Sequence, residues 1–165
     1  MRKWILLLTV VAVGVVAGVA IATPASPPPV LVADTARGMI DGKLNLQTDF
    51  GNGSVAKIKT RGPMELAVQR IVAQPGATFG WHRHPAENVN VIQSGTLSFY
   101  HDEDCTHEIE YGPGAVFTSS PDEIHLARNE GATDVVFFAT YYVPRTTPAQ
   151  MLRIDMPSPG AGCPQ

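Results

Sequence analysis

The chain has 165 residues, 44% of them hydrophobic and only 16% charged, with 15 Gly and 14 Pro. That size suits one domain, and that balance excludes a coiled coil or a chain disordered throughout. Without residues 1–22 the 12 basic residues lose Arg2 and Lys3, leaving 10 against 15 acidic ones, a net charge of −5; nucleic acid and anionic membrane surfaces are therefore not expected partners.

Residues 1–22 read as a secretory signal: Arg2 and Lys3, an uncharged apolar run from Trp4, and a small-residue ending at Ala20-Ile21-Ala22 before Thr23-Pro24. The alternative is an uncleaved anchor, since about 20 apolar residues just span a bilayer. Gly14, Gly18 and the alanines weaken that alternative. In both cases the folded part is expected to be secreted or extracytoplasmic, touching membrane only through this segment. Residues 23–54 form a Pro-rich linker, with four prolines between Thr23 and Val30, followed by an irregular or partly stranded lead-in.

From Val55 to about residue 145 short β-rich runs alternate with Gly and Pro turns. Strands are predicted at Val55–Thr60, Leu66–Ala73, Thr78–His82, Val89–Gln93, Thr96–Tyr100, Ala115–Thr118, His125–Asn129 and Val135–Val143. Turns at Pro75-Gly76, Ser94-Gly95, Gly112-Pro113-Gly114, Ser120-Pro121-Asp122 and Glu130-Gly131 separate them. Evenly spaced short strands without a 3.6-residue period mean an all-β sandwich or barrel. Residues 146–165 read as a Pro- and Gly-rich tail over the surface. Cys105 and Cys163, far apart in an exported chain, are expected to form a disulfide that ties this tail to a loop.

Three of the five histidines sit where strands leave turns. His82 and His84 are two apart, so in extended chain both imidazoles face one side. His125 opens a later strand and is the candidate third ligand. Imidazole suits zinc, copper, iron and nickel, and three from two strands make a facial metal site. His101 and His107 lie in an acidic stretch and read as loop residues.

The segment Gly76-Ala-Thr-Phe-Gly-Trp-His82-Arg-His84-Pro-Ala-Glu87-Asn88-Val-Asn-Val-Ile-Gln-Ser-Gly95 resembles the first cupin motif, in which a Gly precedes His-x-His by five residues and a Glu and a Gly follow. Gly114, His125 and Asn129 fall in register with the second cupin motif. The resemblance implies an all-β, single cupin barrel (a double-stranded β-helix or jelly roll) with a divalent transition metal, Fe, Mn, Cu, Zn or Ni, held in it. Many cupins are dimers, which leaves a homodimer open.

The departures bear on the site. Counting back from Gly95, the family's Glu position holds Asn88, and Glu87 sits one residue early, on the opposite face of a regular strand. Both are doubtful fourth ligands. Pro121 is displaced by one, and Asp122 takes the motif's second Gly place. Phe79, Trp81, Phe99, Phe117, Phe137 and Tyr141 are candidates for a pocket wall, most of them as core, with Asn90 and Asn129 as polar pocket residues. Glu87, Asp122 and Glu123, the carboxylates beside the motifs, read as solvated turn charges. The resemblance covers many activities; the expectation is a metal-dependent oxygenase, with a non-catalytic small-molecule-binding module as the alternative, and no catalytic residue is assigned.

Overall fold

A computed structural model describes residues 30–101, 105 and 108–164. The signal or anchor at 1–22, most of the Pro-rich linker, and His107 lie outside the described residues. Among the described residues no helix is long and apolar enough to cross a membrane.

The described chain forms β1 (Val30–Ile40), β2 (Asn45–Asp49), β3 (Val55–Lys59), β4 (Met64–Ala73), β5 (Thr78–Arg83), β6 (Asn88–Ser94), β7 (Leu97–His101), β8 (Glu108–Tyr111), β9 (Val116–Ser119), β10 (His125–Arg128), β11 (Val135–Pro144) and β12 (Ile154–Asp155), with one 3-10 turn at Ala149–Leu152. One five-stranded sheet runs β1-β4-β11-β6-β9 and a second runs β12-β5-β10-β7-β8. Their inner faces share one core, from Ala67 and Ile71 on β4 and Phe137 and Ala139 on β11 to Leu97 and Phe99 on β7. This is the jelly roll that the motifs imply, with the two sheets facing each other rather than closed into a continuous barrel.

Alternation explains most of it. β4 and β11 place every second residue inside, as in Ala67, Gln69, Ile71 and Ala73. Strand β6 buries Asn88, Asn90 and Ile92 and turns Val89, Val91 and Gln93 outward. The eight strands expected from the sequence are all present, with ends displaced by up to two residues.

The lead-in is more ordered than its sequence suggests. Strand β1 pairs with β4 in an antiparallel register running from Val30↔Ala73 to Ile40↔Met64, while β2 and β3 pair only with each other, as an exposed hairpin. The tail is not merely superficial either. Leu152 is buried in the shared core, β12 pairs with β5, and Cys163 closes a second cluster with Trp81, Tyr100 and Leu126 on the outer face of the second sheet. Cys105 and Cys163 are disulfide-bonded across 58 positions, and Trp81 Nε1 donates to the Pro164 carbonyl at 2.8 Å.

Candidate metal centre

His82 and His125 stand opposite each other on neighbouring antiparallel strands, which brings their side chains close without any loop. His84 follows just beyond the end of β5 on the same face. The three rings form a triangle, with centroids 5.0 Å apart for His82–His84, 4.4 Å for His82–His125 and 5.1 Å for His84–His125. One ring nitrogen from each lies within 4.8 Å of the others, and all three residues are buried.

The orientation of two rings is fixed by main-chain carbonyls. His82 Nδ1 lies 2.8 Å from the Gly80 oxygen, and His84 Nδ1 lies 2.8 Å from the Leu152 oxygen. A carbonyl can only accept, so each Nδ1 carries the proton and each Nε2 keeps its lone pair free. Aromatic packing sets the rest: Phe99 stacks on His125 at 4.6 Å, and Tyr141 lies 5.5 Å from the His84 ring.

Burial keeps the rings neutral. It holds His82 well below the ordinary imidazole range, reinforced by the neighbouring His125 and His84. Burial likewise lowers His125, with His84 adding to the effect, and takes His84 down to about 4. Neutral imidazole is the ligand form, so at neutral pH the three are ready to coordinate without releasing protons.

A local irregularity shapes the site. The β5–β10 register shifts between Leu126 and Arg128, and Gly80 has φ of +65°, a value a side chain would oppose. The bulge resets the alternation along β5, so that Phe79 and His82 both line the cavity while Trp81 packs into the cluster on the other side of the sheet. Trp81, next to His82, faces away from the cavity as strict alternation from His82 requires; it is Phe79, three residues from His82, that the irregularity at Gly80 brings to the histidine side.

The cavity holds about 270 Å³. Phe79, Phe99, Phe117 and Asn90 line it as expected from the sequence, together with Phe137, Tyr141, Gln69 and Ser119. Asn129 does not reach it. Its Nδ2 donates to the carbonyls of Ala73 and Thr133, both at 2.8 Å, and its Oδ1 accepts from the Gly131 amide at 3.0 Å, so it stitches the β10–β11 turn to the end of β4. Neither doubtful ligand lines the cavity that the three histidines face. Glu87 is exposed, and the Asn88 side-chain oxygen already accepts from Asn90 Nδ2 at 2.6 Å.

Two features were missed from the sequence. Glu123 is not a solvated turn charge: its carboxylate is half-buried between two histidines, with Oε1 3.4 Å from His101 Nδ1 and 3.8 Å from His125 Nδ1. His101 accordingly ends a strand, paired opposite His125, rather than sitting in a loop. The second feature is the tail, which supplies Ala149, Gln150, Leu152 and Arg153 to the cavity wall. No sequence signal marks these positions, since they fall after the motifs.

Residues 69–141 match the family described as Cupin domain. No curated protein matches the chain significantly. Similar solved structures include an uncharacterized conserved protein with a double-stranded beta-helix domain from Klebsiella pneumoniae, at TM-score 0.44 and 20% identity over 50% of this chain and 70% of that one. A protein from Bacillus halodurans reaches TM-score 0.45 at 18% identity over 50% and 65%. The DMSP lyase DddQ from Ruegeria pomeroyi reaches 0.44 at 20% over 50% of this chain and 41% of the lyase. The match over 69–141 takes in His82, His84 and His125, so the segment that builds the candidate centre is similar to a cupin domain.

Proposed function

We propose that this is an extracytoplasmic cupin protein that binds one divalent transition metal through His82, His84 and His125 and presents it to a small molecule in the adjoining cavity. The observation that carries the reading is the arrangement of the rings: three buried imidazoles, two of them with Nδ1–H held by carbonyls, bring one ring nitrogen each within 4.8 Å of the others. A structural histidine cluster has no need of that arrangement, because three lone pairs converging in a buried space gain nothing from one another.

When bound, such an ion supplies Lewis acidity and open coordination positions. Three neutral ligands leave its charge of +2 intact, which favours anionic partners. The chain contributes ring orientation and a largely apolar wall that restricts water. No Asp or Glu is found among the described residues lining the cavity, so side-chain carboxylates offer no general base there. That composition supports an oxygenase over chemistry needing a carboxylate base. A non-catalytic binding module is the second reading, favoured by the aromatic wall of Phe79, Phe99, Phe117 and Phe137. The disulfide supports export, since such bonds persist in oxidising compartments.

Calorimetric titration of the metal-free protein with Zn²⁺, Mn²⁺ and Fe²⁺, followed by oxygen-uptake measurements on the iron-loaded form with candidate substrates, tests the reading. One equivalent bound is expected. Oxygen uptake dependent on a substrate selects the oxygenase, and stoichiometric metal with ligand binding but no uptake selects the binding module.

A further inference from the structure

We infer that the cavity takes a small monocarboxylate with an apolar body, its carboxylate gripped by Arg153 of the C-terminal tail. This deepens the proposed function by naming the ligand class of the same cavity, but the grip belongs to the guanidinium rather than to the metal.

The cavity is chemically lopsided. Most of its wall is hydrocarbon, from Phe79, Phe99, Phe117, Phe137 and Leu97, and among the described lining residues Arg153 is the single permanently charged group. Its guanidinium is already fixed: one terminal nitrogen bonds Asp155 Oδ1 at 2.6 Å and the other donates to the Phe79 carbonyl. Asp155 is the more exposed member of that pair and does not line the cavity, so no carboxylate among the described lining residues competes for the guanidinium inside the cavity. Arg153 Nε and Ser119 Oγ, on two lining residues, are buried without a hydrogen-bond partner, which is costly unless something supplies one.

A fixed planar fork matches the two oxygens of a carboxylate, and holding it beforehand lowers the ordering cost of binding. One guanidinium and few further donors suit a monoanion better than a tetrahedral dianion. The volume of about 270 Å³ lies just below the range of about 300–1,000 Å³ usual for small-molecule sites, so the ligand is small. The aromatic wall then buries its hydrocarbon part.

The test uses the full chain with its disulfide intact, metal-free and zinc-loaded, titrated with propionate, butyrate and benzoate, and with benzamide and phenyl phosphate as neutral and dianionic counterparts of benzoate. Zinc is measured in every sample. The expected result is that at least one carboxylate binds, about tenfold or more tightly than its amide, and that Arg153→Gln abolishes this preference while Arg153→Lys keeps part of it. Equal binding of acid and amide, an undiminished preference in Arg153→Gln, stronger binding of phenyl phosphate, or no binding by any carboxylate overturns the inference. Should Arg153→Gln fail to fold, the acid-to-amide comparison in the unaltered protein and in Arg153→Lys decides. A carboxylate preference without bound zinc would sink the metal reading alone; bound zinc without the preference would sink this inference alone.

Discussion

The main-chain oxygen of Leu152 accepts a hydrogen bond from His84 Nδ1 at 2.8 Å, across 68 positions of sequence. The tail thus orients one of the three imidazoles, and it does so from outside the segment that carries the family motifs. Anchoring the tail is therefore part of building the site. Leu152 itself is buried in the core, its neighbour Arg153 bonds the Phe79 carbonyl, and the chain end is fastened by the disulfide.

Leu152→Ala is expected to lower stability by about 2–5 kcal/mol, the usual range for emptying a buried leucine site, and to weaken metal affinity about tenfold or more through the displaced carbonyl. Denaturant unfolding and metal titration check the two effects. A variant that loses stability while keeping full affinity would mean that the Leu152 carbonyl does not orient His84.

Replacing both cysteines by serine removes a closure of 58 positions and is expected to cost about 2–4 kcal/mol. Because the bond lies on the outer face of the second sheet, beside Trp81 and Leu126, the metal ligands themselves should stay in place. Unfolding midpoints compared with and without reductant measure the effect, and an unchanged midpoint would contradict it.

The metal-free protein should lose stability in acid. His84 has its folded pKa lowered from 6.5 to about 4, chiefly by burial, and His82 and His125 move in the same direction. A depressed folded pKa means that the unfolded chain takes up protons first as pH falls. The stability is accordingly complete above 6.5 and drains away between 6.5 and about 4, by roughly 3 kcal/mol from His84 alone at about 1.4 kcal/mol per pH unit. Bound metal should be released over the same interval, since protons compete for the ligands. Urea unfolding at a series of pH values between 7.5 and 4 checks this; stability that is flat or rising toward pH 4 would refute it.

Asn129→Ala removes three hydrogen bonds from a buried side chain and should cost about 1–3 kcal/mol, since it strands the carbonyl of buried Ala73 and frees that of Thr133 to the solvent side. Metal stoichiometry should not change. This separates the two motif positions that look alike in sequence, because His125 faces the cavity and Asn129 holds a turn.

Much of the fold was readable because its strands obey a two-residue period and its turns carry Gly or Pro. Gly95 shows why the motif spacing is informative: its φ is +75°, and a Cβ there would stand 2.6 Å from the Asp134 carbonyl oxygen and 2.8 Å from Val135 Cα. The histidines were legible for a similar reason, since two of them share a face by spacing and the third lies opposite on the adjoining strand. Strand β1 was not legible. Its sequence, with Asp34, Arg37 and Gly38 among apolar residues, shows no clean alternation, and it is a strand because β4 offers it an edge to pair with. Nor was it legible that Phe79 shares the face of His82, three residues on, because one bulge at Gly80 changes which side chains face inward. The tail's contribution was the least visible, since the accepting carbonyl of Leu152 leaves no mark on residue type and Arg153 stands in no pattern.

The decisive measurement is elemental analysis of the protein purified without a polyhistidine tag, run beside the His82→Ala, His84→Ala double variant. Close to one equivalent of a divalent transition metal is expected in the unaltered protein, and its loss in the folded variant. Equal metal content in the two, or none in the unaltered protein even after reconstitution, would contradict it.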